Sequence, residues 1–291
     1  MKTQPWQLET GAYPFSIRFN PHYSHLDTER HVNNVAVQSF HTEARTRFHM
    51  AVLGDRAWYS DDVLLRPRRT VTHFLRETHY PHEVTAAVRL VAVEDDSYRL
   101  VQALFQNGEC VGVQECLMGA WGEAGWVALP EAARRALAAE QVDGQPLLPW
   151  PELPEETETF EPGPRQVALT ARYADLDPDR RLSELAQARY LEQARAGSVT
   201  MLRQPNLGLL VARIDIRYQR WDTGMGEVAL SSELAGIGNS SFVLRGRAAV
   251  DGRPVAMAES VMVLIDRDTH RPTPVPDALR AEMAVLQPPT A

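Results

Sequence analysis

The chain repeats itself once, and a duplication constrains the fold more tightly than composition does, because both copies must be built the same way. Asp27 to Arg45, DTERHVNNVAVQSFHTEAR, aligns without a gap on Asp177 to Arg195, DPDRRLSELAQARYLEQAR. Asp27, Arg30, Ala36, Ala44 and Arg45 recur as Asp177, Arg180, Ala186, Ala194 and Arg195, and Tyr23 and Leu26 recur as Tyr173 and Leu176. A second block lays Val84 to Met118 over Val228 to Met262, with Leu90, Leu100, Gly108, Glu115 and Met118 matched by Leu234, Leu244, Gly252, Glu259 and Met262. A third places Leu-Pro-Glu-Ala-Ala-Arg from Leu129 over Val-Pro-Asp-Ala-Leu-Arg from Val275. Three blocks in one order describe a duplicated domain.

The length of 291 residues suits two domains of about 100–150 residues each. Between the copies runs a Pro- and Glu-rich stretch that suits neither a helix nor a central strand. The expected organisation is therefore a first domain over 1–144, an extended linker over 145–164 and a second domain over 165–291.

Each copy reads as a strand, a loop carrying the shared Asp, a long helix and several further strands. Phe15, Ile17 and Phe19 alternate as in a half-buried strand. Helices are expected from Asn33 to Val52 and from Ser183 to Leu202, with Asn33 and Ser183 as caps. Val37, Phe40, Ala44 and Phe48 line one apolar stripe. Val84–Val93 and Ser97–Gln106 read as strands, and Asn107-Gly108 and Asp251-Gly252 as two-residue hairpin turns. Short helices starting at Pro130 and Pro276 close the copies. The expected class is α+β, an antiparallel sheet wrapped around one long helix in each of two tandem domains.

Composition sets limits on partners. Hydrophobic residues at 44% and charged residues at 23% are an ordinary globular balance. A net charge of -8 gives no general attraction for nucleic acid or an anionic membrane. No run approaches a membrane span, and the N-terminus lacks a signal core, so the expected location is the cytoplasm. Cys110 and Cys116, the two cysteines, are expected on one face of one strand, reduced and inert. The six tryptophans are read as packing groups.

Ser24 to Asn34, SHLDTERHVNN, resembles the Asp-x-x-Gly-His-Val-Asn-Asn signature of hot-dog-fold thioesterases, with acyl-ACP thioesterases and the 4-hydroxybenzoyl-CoA thioesterase group nearest in pattern. Glu43-Ala44-Arg45 also matches the end of that group's central helix, and Tyr173 to Pro178 looks like the same loop in the second copy. The resemblance implies two hot-dog domains that pair sheet to sheet with active sites where they meet. A duplicated chain supplies both by itself, and its remaining open surfaces would allow a homodimer. The resemblance puts the catalytic carboxylate on Asp27, a contributing histidine on His31, a site residue on Asn33, and a further carboxylate on Glu77. It departs at Glu29, where plant-type members carry Asn, and at Arg30, where the signature has Gly. The second copy keeps Asp177 but has Arg181, Ser183 and Glu184 where the first has His31, Asn33 and Asn34. The expectation is one good site on Asp27 and a degenerate or slow one on Asp177.

The residue types suit the reaction. An Asp, ordinarily ionised at neutral pH, orients and deprotonates water or attacks the carbonyl itself. Free N–H groups at the start of the following helix are the expected oxyanion donors. Asp before a helix is also an ordinary cap, and Asn33 serves equally as cap or substrate contact. Asn34, Arg68 and Arg69 are the candidate substrate contacts, the last two as partners for CoA phosphates. The run Arg66-Pro67-Arg68-Arg69 otherwise reads as a solvated turn between helix and strand. Glu43 is expected to pair with Arg47. His73, His79 and His82 have neither the spacing nor the companion ligands of a metal site, so no metal and no organic cofactor is expected. The function expected is hydrolysis of an acyl-CoA or acyl carrier protein thioester. Two alternatives are a non-catalytic acyl-thioester-binding hot-dog and an enoyl-CoA hydratase-like enzyme.

Overall fold

A computed structural model describes residues 3–288 except 55, 56, 58–63, 124, 143, 145–148, 151–158, 200–205 and 222. The chain divides into two compact units, Met1–Glu155 and Glu156–Ala291. Most of the expected linker, with Trp58 and the end of the second long helix, lies outside the described residues.

The first unit is a wholly antiparallel sheet in the order β1-β3-β4-β5-β2, from β1 (Phe15–Phe19), β2 (Leu64–Phe74), β3 (Val84–Val93), β4 (Ser97–Gln106) and β5 (Glu109–Gly122). A short β6 (Gly125–Val127) folds back on β5. The long helix α1 (Asn34–Leu53) lies between β1 and β2 in sequence, and α2 (Glu131–Ala139) follows the sheet. The second unit repeats this plan: β7 (Arg165–Thr170), α3 (Glu184–Val199), β8 (Leu207–Tyr218), β9 (Glu227–Ile237), β10 (Ser241–Val250), β11 (Arg253–Asp266) and α4 (Asp277–Met283). Its sheet runs β7-β9-β10-β11-β8.

Local chemistry sets the joints. Asn107 and Gly108 take φ of 53° and 81°, and Asp251 and Gly252 take 49° and 76°, the left-handed pair that a tight hairpin needs. The Asn33 side chain accepts from Val35 N and Ala36 N and so caps α1. Val37, Phe40, Ala44 and Phe48 are buried against Val88, Leu90, Leu100 and Leu104 of the sheet.

Helix α1 carries a second buried stripe that the apolar pattern did not announce: Gln38, His41, Arg45 and His49. The His49 ring meets Tyr98 Oη at 2.8 Å, and Gln102 Nε2 donates to the His41 carbonyl at 2.6 Å. The second unit packs the same crossing differently. Gly246 takes the place of Gln102, and a Cβ built there would sit 3.7 Å from Leu191 Cδ2 and Ala194 Cβ, so the helix lies in close contact with the strand at this point.

Two expectations are corrected. Cys110 and Cys116 lie on opposite faces of β5, because pairing with β4 skips Val111 between Leu104↔Gly112 and Phe105↔Cys110. Such a bulge moves everything beyond it to the other face. Cys116 packs toward α1, while Cys110 joins Trp6, Tyr13 and Phe105 on the far face. Burial pushes the Cys110 thiol up to about 11. The basic run is no turn: it lies within β2, with Pro67 beside a bulge at Arg68. Among the described residues no helix is long and apolar enough to cross a membrane.

Burial, with a smaller push from Arg45, lowers the His41 and His49 pKa values to about 3, so both rings are neutral in the fold. Unfolded histidines take up protons near pH 6.5, at about the ordinary value. The stability these residues contribute is therefore complete above that pH and is lost as pH falls from there toward 3. Each histidine is expected to remove about 1.4 kcal/mol per pH unit at full slope. Denaturant midpoints measured between pH 6.5 and 5 should fall in wild type and fall about half as steeply in His41→Gln; a flat profile would refute the neutral-histidine assignment.

Candidate active site

The loop between β1 and α1 is closed by one carboxylate. Leu26 and Val32 form an isolated antiparallel bridge that brings its ends together. Inside it, Asp27 N donates to His31 O at 2.9 Å and Arg30 N to Asp27 O at 3.1 Å. Asp27 Oδ1 accepts from Glu29 N at 2.9 Å and His31 N at 3.1 Å. Oδ2 makes no hydrogen bond among the described residues. The turn requires Arg30 at φ 69°, a left-handed conformation that favours glycine, which explains why the resembling signature has Gly there.

The second unit reproduces the loop bond for bond. Asp177 Oδ1 accepts from Asp179 N at 2.9 Å and Arg181 N at 3.0 Å. Asp177 N donates to Arg181 O at 2.8 Å, and Arg180 has φ 59°. Even the short turn before it is matched: His25 Nδ1 accepts from His22 N, and Asp175 Oδ2 accepts from Arg172 N. The recurring Asp thus organises the loop in both copies, and the contents of the loops differ.

In the first unit, His31 Nε2 lies 3.2 Å from Glu77 Oε2. The two residues meet because Val32 N donates to Thr78 O at 2.9 Å, which pins the segment after β2 beside the Asp27 loop. His79 comes with it: its Nε2 is 3.9 Å from the same Glu77 oxygen, and its ring meets the His31 ring edge-on at 5.5 Å between centroids. A buried side chain fixes this segment. Gln106, the last residue of β4, donates through Nε2 to the carbonyls of His79 and His82 and accepts from His79 N through Oε1, each at 2.9 Å. In the second unit Leu182 N donates to Thr223 O at 2.8 Å, so Thr223 corresponds to Thr78 and Gly224 to His79. With Arg181 at the position of His31, that loop has neither histidine.

The remaining candidates fall into place around this loop. Asn33 is the cap of α1, and its side chain takes the N–H groups of Val35 and Ala36. Those two are therefore not available as oxyanion donors. Asn34 is the first residue of α1, and its N–H has no protein acceptor among the described bonds. Arg68 pairs with Asp96 at 3.0 Å and stacks over Trp126, and Arg69 lies over the Trp150 ring. Both have partners within the unit, away from the His31 cluster. Glu43 pairs with Arg47 at 2.7 Å on the helix. Glu77 and His79 were the residues hardest to place from sequence, because only the pairing of Val32 with Thr78 brings them to His31.

Arg30 holds a backbone shape that costs a non-glycine residue about 1 kcal/mol. Arg30→Gly is expected to raise stability by about 0.5 kcal/mol once the entropy of glycine in the unfolded chain is subtracted. Thermal unfolding checks it: an Arg30→Gly protein less stable than wild type would contradict the left-handed turn.

Comparison with known proteins agrees with this architecture. Residues 173–283 match the family model of the thioesterase-like superfamily. No curated protein matches the chain in sequence. Among solved structures, the 12:0-ACP thioesterase from Umbellularia californica superposes with a TM-score of 0.71 at 15% identity, covering 85% of this chain and 93% of that one. An oleoyl thioesterase from Lactobacillus plantarum gives 0.68 at 15% identity, covering 86% and 95%. An acyl-ACP thioesterase from Bacteroides thetaiotaomicron gives 0.64 at 13% identity, covering 85% and 96%. The family match lies within the second unit, and over both units the chain has the tandem hot-dog fold seen in these solved structures.

Proposed function

We propose that the protein hydrolyses an acyl-CoA or acyl-ACP thioester at a site in its first unit, built on Asp27, His31 and Glu77. The observation that carries this reading is the His31–Glu77 contact at 3.2 Å, set against the Asp27 loop and missing its histidine in the second copy. The Asp loop alone is common to both copies and is accounted for by its structural bonds. The first copy adds a carboxylate-backed imidazole, which is what acyl transfer to water uses.

In this reading Asp27 Oδ1 holds the loop and Oδ2 faces the reacting groups, orienting and deprotonating water or attacking the thioester carbonyl itself. Glu77 lies 3.2 Å from His31 Nε2 and orients the ring, so His31 is placed to take up the proton released from water. The N–H of Asn34, at the positive end of α1, is the donor nearest in sequence for the developing oxyanion. Thioester and water give a carboxylate, a free thiol and a proton. Two of the solved structures it resembles are a 12:0-ACP thioesterase and an acyl-ACP thioesterase, which supports testing carrier-protein thioesters beside CoA esters. Asp177 is assigned the structural role of its loop.

Thiol release from acyl-CoAs and acyl-ACPs of graded chain length tests this. Asp27→Asn and His31→Ala are each expected to lose about a hundredfold or more in kcat while remaining folded. Asp177→Asn should keep a rate near that of wild type. Equal losses from Asp27→Asn and Asp177→Asn would refute the one-site reading, and an absence of thiol release from every substrate would favour an acyl-thioester-binding protein without turnover.

A further inference from the structure

We propose that His31, Glu77 and His79 form a three-ligand site for a divalent transition metal of the zinc class, and that a bound ion withdraws the His31–Glu77 pair from thioester hydrolysis. The inhibitory half rests on the function proposed above; the binding half does not.

The donor set points to the kind of ion. A ring nitrogen of His31, a carboxylate oxygen of Glu77 and a ring nitrogen of His79 all lie within 4.8 Å of one another. Two imidazoles and one carboxylate suit zinc, cobalt, nickel or ferrous iron, and are a poor match for magnesium or calcium, which take oxygen ligands. Around a tetrahedral ion with ligands at about 2.0–2.1 Å, neighbouring donors stand about 3.3 Å apart. The His31–Glu77 distance is 3.2 Å, the His79–Glu77 distance 3.9 Å and the third pair lies within 4.8 Å, so the site closes if the His79 ring moves by at most about 1.5 Å. His79 is exposed and has room to make that movement. Three protein ligands leave the fourth position open to water.

The backbones beneath the ligands are fixed. His31 is tied on both sides to Asp27, through its N–H to Oδ1 and its carbonyl to the Asp27 N–H. Gln106, 4% exposed, uses both ends of its amide to hold His79, whose ring has no place in the hydrolytic reading. The second copy is a built-in comparison: it keeps the loop but has Arg181 and Gly224 where the histidines would be, and neither can ligate.

The test uses the full-length, tag-free protein. Cobalt(II) is titrated as a spectroscopic probe and zinc by calorimetry, in wild type and His79→Ala, and thiol release is followed in both with increasing zinc. One ion is expected per chain, with at least tenfold weaker binding in His79→Ala. Affinity should fall as pH drops, since histidine ligands must shed a proton. Zinc should inhibit wild type, and His79→Ala should need at least tenfold more zinc for the same inhibition. Absence of saturable one-to-one binding, or equal affinity in wild type and His79→Ala, would overturn the site. Binding by a protein that hydrolyses no thioester would leave the site standing and remove the hydrolase reading; zinc-insensitive hydrolysis with specific binding would overturn the inhibitory half alone.

Discussion

One carboxylate oxygen accepting two backbone N–H groups is the interaction on which both copies depend. At Asp27 and at Asp177 it closes a five-residue turn, forces the residue before its end into a left-handed shape, and delivers the chain to the cap of a long helix. A loop leading into a buried helix would otherwise leave several N–H groups without acceptors. The Asp satisfies them locally, whatever else the loop carries.

That independence of scaffold from chemistry let the two copies diverge. The first fills its loop with His31 and brings Glu77 and His79 beside it. The second puts Arg181 in the loop and buries Asp175 under Arg172 and the Tyr190 hydroxyl. The helix crossings diverged likewise, polar at Gln102 and His41 and close-packed at Gly246 and Leu191. Duplication preserved the plan and released its contents.

Much of this was legible in the sequence. Strands β3 and β4, the hairpin turns, the caps of α1 and the Asp loop all follow from short-range rules: alternation, left-handed turn residues and capping side chains. What was hidden depended on pairing between distant segments. Arg66-Pro67-Arg68-Arg69 looked like a turn because proline and charge are rare in strands, yet a bulge at Arg68 lets the strand keep both. The two cysteines looked co-facial because a single skipped residue, Val111, leaves no mark on the local pattern. Glu77 and His79 could be attached to His31 only by knowing that Val32 pairs with Thr78. The metal expectation weighed His79 beside His73 and His82, its neighbours in sequence, and so did not assemble the trio that meets in space.

The Gln106 clamp ties that trio to a hairpin. Its side chain stands one residue before the Asn107-Gly108 turn, on the same face of β4 as Gln102 and Leu104. The second unit has Val250 in its place and no such tether. In the first unit, then, a change of turn or of strand register is conveyed directly to the histidines. A substitution in that hairpin, far from any reacting atom, would register in kinetics as damage to the active site, and surveys that sort mutations by distance from Asp27 would assign it to the wrong cause.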